Sequence, residues 1–167
     1  KQSLKKKVKN EIIQKVLVKN RNLRFKVHSK FEKHLYKKKI IGVERFSKYL
    51  IIIFKDRSGF ILHLGMSGTV HLHYKNKKNI FTNTSFYHSL LLPNKHNHVE
   101  IYFKKFIFIY NDPRRFGYFS TFDNQIELKK KFSHFGPEPF SISFSVDYII
   151  NYLKNKENNI KNFLLDQ

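Results

Sequence analysis

Cysteine is absent from this 167-residue sequence, which excludes disulfides, thiolate metal sites and cysteine nucleophiles together. Acidic residues are scarce: 12 Asp and Glu stand against 33 Lys and Arg, a formal charge of +21. Long apolar runs are missing too. The longest, Tyr49 to Phe54, has six residues, far short of the roughly 18 that a helical membrane span needs, so no membrane partner is expected. Glycine and proline are few, 6 and 4, and all four prolines lie beyond residue 92. Residue 1 is Lys and no apolar leader follows it, so the sequence reads as a piece of a longer chain.

What is present suffices for a packed core. Hydrophobic residues make up 41% of the chain, with 18 Phe and 9 Tyr, and a chain of this length is one domain's worth. The positive excess calls for a polyanion, nucleic acid before anionic lipid. Lysine shares A- and T-rich codons with the abundant Asn, Ile, Phe and Tyr, so its excess alone is a weak argument for binding. The six arginines, two of them adjacent at Arg114 and Arg115, are more informative.

The first half reads as strands: Glu11 to Val18, Ile40 to Phe46, Lys48 to Phe54 and Phe60 to Leu64 are β-branched and aromatic runs with polar or Gly-containing breaks. Lys55 to Gly59 turns the last two into a hairpin. Ser29 to Glu32 predicts a capping box opening a short helix, with Phe31 and Leu35 inward, that ends near Lys38. Thr69 to Tyr74 alternates as a strand, with His71 and His73 expected at the surface, and Lys75 to Asn94 is expected to be a surface loop. Val99 to Phe103 and Phe106 to Tyr110 bracket Lys104-Lys105 as a second hairpin, and Gly117 to Phe122 adds a strand. Helices are expected over Asn124 to Phe132, Ser145 to Asn155 and Asn158 to Asp166. The fold class is therefore mainly β (α+β), an antiparallel β-sandwich flanked by helices.

Three segments are candidates for chemistry. In His63-Leu-Gly-Met-Ser-Gly68 two glycines bracket the only methionine. Spacing alone favours a turn whose Met66 folds back as core filler; the alternative is a Met on a loop tip, an apolar wedge of the kind inserted into base stacks. In Asp112-Pro-Arg-Arg-Phe-Gly117, Pro113 and Gly117 frame a turn presenting Arg114, Arg115 and Phe116. A guanidinium forks onto phosphate or a base edge while a ring stacks beside it, and an Arg–Asp salt bridge under the loop is the plainer reading. Lys48 heads an aliphatic strand, either as a solvated strand start or as a lysine serving a partly buried site. His63, His96 and His98 are histidines near strand ends, with His96 and His98 on one side of a strand. Lys95 beside them suits phosphate better than a metal ion, so no metal is assigned.

Taken in order, HLGMSG (His63 to Gly68), KHNHV (Lys95 to Val99), DPRRFG (Asp112 to Gly117) and FGPEPF (Phe135 to Phe140) resemble motifs of the formamidopyrimidine-DNA glycosylase family, where the second is usually KHDHV and the fourth LGPEPL. Asn22-Leu-Arg24 and Ser47 to Leu50 also look like family positions. The resemblance implies a DNA-repair enzyme, a bifunctional glycosylase with β,δ-lyase activity, that flips oxidised purines such as 8-oxoguanine and formamidopyrimidines out of the duplex. It implies that Met66, Arg114 and Phe116 fill the void left by the flipped base, with Arg114 addressing the orphaned partner base. Arg115, His63 and His96 would grip phosphates, and Lys48 would support catalysis near the scissile site.

The partner so implied is double-stranded DNA carrying a damaged base or abasic site, bound by a monomer. The family's opening proline nucleophile and glutamate are not in this sequence, and its four-cysteine zinc finger would lie C-terminal to it, so no cofactor is expected in this chain. Residues 1–140 would be the catalytic-type sandwich, lacking its start and inactive alone, and 141–167 the beginning of a helix-two-turn-helix module. A damaged-DNA-binding protein without catalysis, or a general nucleic-acid-binding module, remains the alternative.

Overall fold

The computed structural model describes residues 2–74, 80–81, 93–154, 159 and 161–162. The chain divides into two compact units, Lys1–Gln125 and Ile126–Gln167. The first is built on two antiparallel sheets. One has the order β1-β7-β8-β5-β6 and the other β2-β3-β4-β9. The strands are β1 (Lys15–Val18), β2 (Ile40–Phe46), β3 (Tyr49–Phe54), β4 (Gly59–His63), β5 (Thr69–Tyr74), β6 (Ile80–Phe81), β7 (Asn97–Tyr102), β8 (Phe106–Asn111) and β9 (Tyr118–Phe122). The sandwich expected from the strand spacing is present.

Its core follows from the aromatic and β-branched runs. Ile52, Phe54, Phe60, Leu62 and Phe119 of one sheet join Val70, Leu72, Val99, Ile101, Phe108 and Tyr110 of the other in one buried cluster. Phe31 sits edge-on to Phe60 and Phe119, with centroids 5.9 and 5.4 Å away, the geometry aromatic quadrupoles favour. Phe31 and Leu35, both inward as their spacing predicts, come from α2 (Phe31–Leu35).

Several local expectations change. The first strand is shorter than Glu11 to Val18, because Ile12 and Ile13 instead meet Lys39 and Lys38 across the chain. A helix, α1 (Gln2–Val8), precedes it; only Leu4 and Val8 are buried, and two apolar residues in a lysine-rich stretch carry little periodic signal. The capping box at α2 does not form. Lys30 is the N-cap without a side-chain hydrogen bond, and Glu32 pairs with Arg21 instead. His71 is not a surface residue. It is 2% exposed, lies opposite Ile109 and Phe81, and its Nε2 is 2.6 Å from Thr69 Oγ1. Most of the loop expected over Lys75 to Asn94, and most of the helix expected over Asn158 to Asp166, lie outside the described residues.

The second unit contains α3 (Gln125–Phe132), which begins at the boundary, and α4 (Val146–Leu153). Ser145 caps α4 by accepting a hydrogen bond from the Tyr148 N–H at 3.1 Å, the side-chain capping that Ser supplies at helix starts. Among the described residues no helix is long and apolar enough to cross a membrane.

Candidate functional site

Two connections between the sheets lie side by side at one end of the sandwich, and strand register puts them there. The segment after β4 leaves from His63 and enters β5 at Thr69, while the segment after β8 leaves from Asn111 and enters β9 at Tyr118. Thr69 pairs with Asn111 in one sheet, and His63 pairs with Tyr118 in the other. Both ends of one loop are thus hydrogen-bonded neighbours of both ends of the other. The β2–β3 turn is at the same end, since Tyr49 is the other cross-strand partner of His63, and this delivers Lys48.

The loops touch through their backbones. Gly65 has φ +69°, and a Cβ there would stand 2.6 Å from the Phe116 carbonyl carbon and 2.7 Å from the Gly117 nitrogen. Only glycine combines that conformation with that approach. Arg115 also has positive φ, 58°, which turns consecutive side chains of the arginine loop apart. Met66 is 58% exposed and Phe116 41%, and the Arg114 guanidinium lies 4.5 Å from the Phe116 ring centroid. Met66 is therefore not the core filler that spacing alone favours.

Around these residues runs an open cleft of about 930 Å³ lined by Asn22, Leu23, Arg24, Lys48, His63, Gly65, Met66, Arg114, Arg115 and Phe116. Six of the seven residues singled out in the sequence meet here. The lining carries four cations and no carboxylate, and apolar side chains stand among them, which suits a polyanion with flat, stackable groups. Asn22, Leu23 and Arg24 complete the wall. They are held by Arg24 N–H donating to the Gly117 carbonyl at 3.2 Å and by Arg21, which donates to the His28 carbonyl at 2.8 Å and pairs with Glu32. The sequence marks Asn22-Leu-Arg24 only through the motif resemblance noted above, without a role.

His63 is half-buried and rests on Tyr49, with centroids 5.0 Å apart. Burial, then the Lys48 and Arg24 cations, hold its pKa below the usual histidine value. Its Nδ1 accepts from the Gly65 N–H at 3.2 Å, so the neutral ring carries its proton on Nε2, the tautomer that donates to an acceptor such as phosphate.

The seventh residue, His96, does not line the cleft. It lies in a short 3-10 helix (Asn94–His96), where its carbonyl accepts from the Asp112 N–H at 3.0 Å. Burial, Lys95 and His98 lower its pKa, against the opposing pull of Asp112. Nor do His96 and His98 share a strand face. His98 is buried in β7 and its Nε2 is 2.7 Å from the Asp112 carbonyl.

Asp112 does not form the salt bridge that its neighbouring arginines suggested. Its fully buried carboxylate accepts from Ser67 Oγ (2.6 Å), Tyr110 Oη (2.8 Å), Gly117 N–H (2.9 Å) and Arg114 N–H (3.2 Å). Both arginine side chains are left for the cleft. Among the described residues no three His, Asp or Glu side chains gather as metal ligands, and a four-cysteine finger has no counterpart in a sequence without cysteine; no metal is assigned to these residues.

Comparison with known proteins fits this geometry. A family model for the formamidopyrimidine-DNA glycosylase N-terminal domain matches residues 1–119. A formamidopyrimidine-DNA glycosylase of Lactobacillus acidophilus is 36% identical over 165 residues, covering 96% of this chain and 54% of its own length. One from Rickettsia bellii is 36% identical over 169 residues, covering 99% and 56%. Among solved structures, the complex of Lactococcus lactis Fpg with DNA containing an abasic site superposes with a TM-score of 0.82 at 25% identity, covering 99% of this chain and 57% of that one. A Lactococcus lactis Fpg mutant bound to Fapy-dG-containing DNA gives the same TM-score, 0.82. The chain spans about half the length of the curated relatives it matches.

Proposed function

Because the chain belongs to the formamidopyrimidine-DNA glycosylase family, we propose that its cleft is the lesion-reading face of a base-excision glycosylase and AP lyase for oxidised purines. The observation that carries the reading is the meeting of Met66, Arg114 and Phe116 on two touching loop tips beside three further cations, Arg24, Lys48 and Arg115. Opening one base step costs a few kcal/mol. An exposed thioether and an exposed ring lining one cleft supply the stacking surface that offsets this, and the guanidinium held over the Phe116 ring presents fork-like donors to the base left without a partner. Arg115, the Nε2–H of His63 and, from its flank, His96 engage backbone phosphates.

Lys48, exposed on its turn near His63, supplies a positive charge at the phosphodiester next to the lesion. This chain's share of the reaction is to flip the nucleotide, fill the gap and hold the backbone. The substrate class, oxidised purines, follows from the likeness of the Met, Arg and Phe set to the formamidopyrimidine branch.

The test is equilibrium binding to duplexes of one sequence, intact or with a tetrahydrofuran abasic site, at fixed salt. The expected result is at least a tenfold preference for the abasic duplex. Equal affinity overturns lesion reading and leaves a general nucleic-acid-binding module. The enzymatic part is tested by borohydride trapping of the full-length protein on 8-oxoguanine duplex, where absence of a covalent adduct refutes the lyase.

A further inference from the structure

Among the described residues Tyr110 is the largest fully buried side chain, and the recognition chemistry above makes no use of it. It lies in β8, two residues before Asp112. Its hydroxyl is 2.8 Å from Asp112 Oδ2 in the arginine loop and 3.2 Å from the Leu64 carbonyl in the methionine loop. Each loop leaves a notch for this oxygen. A Cβ at Gly68, from the methionine loop, would stand 2.5 Å from it, and one at Gly117, from the arginine loop, 1.8 Å. Ser67 of the methionine loop donates to the other carboxylate oxygen of Asp112 at 2.6 Å. The same carboxylate holds the Arg114 and Gly117 N–H groups. Ser67 thus ties the methionine loop to the Asp112 carboxylate, and the Tyr110 hydroxyl, sharing its one proton between that carboxylate and the Leu64 carbonyl, bridges the two loops. Burial, reinforced by that carboxylate, keeps the phenol pKa above its ordinary value, so the hydroxyl remains a donor.

We propose that the Tyr110 hydroxyl, acting through Asp112 with Ser67, is a positioning group that locks the two loops together, so that Met66, Arg114 and Phe116 enter a duplex as one preorganised wedge. A loop ordered before binding loses no conformational freedom on contact, and the affinity saved is specific to the state in which the wedge is inserted. Intact duplex, which meets only the cations, gains nothing from the lock. The inference rests on the reading of the cleft as a lesion site, and two measurements separate the two claims.

The chain contains no tryptophan, so Phe116→Trp places a single indole, excited selectively over the tyrosines, on the arginine tip. In the DNA-free protein, adding Tyr110→Phe, which keeps the ring and removes the hydroxyl, is expected to at least double the amplitude of nanosecond depolarisation of the introduced indole. Ser67→Ala is expected to act in the same direction and serves if Tyr110→Phe fails to fold by circular dichroism. Unchanged anisotropy in both overturns the lock, whatever DNA does.

On DNA, Tyr110→Phe in the otherwise native chain is expected to lower the preference for abasic over intact duplex roughly tenfold, the size of one hydrogen bond to a charged acceptor. Its salt dependence should not change. In a Met66→Ala/Phe116→Ala background the same substitution is expected to change the preference less than twofold, because the group acts only through the wedge. A full tenfold loss in that background overturns the positioning role. A native chain with no abasic preference refutes the proposed function, and the anisotropy measurement then decides the lock by itself.

Discussion

Gly65→Ala is the sharpest perturbation of the contact between the loops. An L-residue pays about 1–2 kcal/mol to hold a left-handed conformation, and Gly65 sits at φ +69°. The new Cβ would lie 2.6 and 2.7 Å from the Phe116 carbonyl carbon and the Gly117 nitrogen, about 1 Å inside the optimum for non-bonded atoms. Those atoms are backbone and cannot swing away, so an overpacking penalty of about 1–3 kcal/mol is added.

The expected loss is therefore about 2–5 kcal/mol, or a fall in Tm of roughly 5–15 °C for a chain of this size. Gly42→Ala is the matched control. There the nearest atoms to a new Cβ are those of the Ile53 side chain at 3.8 Å, in ordinary contact, and the change should stay within about 1 kcal/mol. Urea and thermal unfolding measure both. With the loops pushed apart, Gly65→Ala should also lose abasic-site preference faster than it loses affinity for intact duplex. If the two variants unfold at the same temperature and Gly65→Ala keeps its preference, the backbone contact does not organise the cleft.

Three further outcomes follow from the same geometry. Met66→Ala and Phe116→Ala should each weaken abasic-duplex binding while leaving the slope of log K against log salt intact, whereas Arg115→Ala should reduce that slope by about one phosphate's worth, ~0.9; the reverse pattern would exchange their roles. By imidazole NMR, His63 should titrate below 6.5, because burial, Lys48 and Arg24 disfavour its cation, and Lys48→Ala should move the midpoint upward. Its folded pKa is depressed, so this contribution to stability is present above pH 6.5 and is lost as pH falls through the folded value; an unshifted midpoint in the variant would separate Lys48 from His63. Burial alone would raise the Asp56 pKa, but hydrogen bonds from Lys38 and Ser58 outweigh it and lower it to about 2. Stability from this pair is thus complete above pH 3.8 and fades towards pH 2, by about 1 kcal/mol or less because the pair is solvent-screened. Asp56→Asn should remove that step from an acid-unfolding curve, and a curve identical to wild type would show that the pair contributes nothing.

Much of the sandwich was legible because its strands are short β-branched runs between polar turns, and because Phe31 and Leu35 recur at helical spacing. What was misread has identifiable causes. His71 alternates like a half-exposed strand residue, yet β5 lies between β6 and β8, where Thr69 supplies the polar partner that its ring needs in the interior. Ser29 and Glu32 have capping-box spacing, but Arg21, eleven residues before Glu32, offers a charged partner that no local pattern reveals. Met66 between two glycines reads by spacing alone as core filler before loop tip. The choice depends on whether the turn folds inward, and Gly65 in contact with Phe116 and Gly117 settles it outward.

By itself the sequence determined the chemistry on offer: no thiols, a surplus of cations, a glycine-framed methionine and a proline-framed arginine pair, in an order that marks the family. Each of those is a local property, readable from neighbours a few residues apart. The convergence of Met66 with Arg114 and Phe116, 48 and 50 positions further on, was decided only by pairing Thr69 with Asn111 and His63 with Tyr118. Register across two sheets is a collective outcome of burying both inner faces, and no single segment carries it.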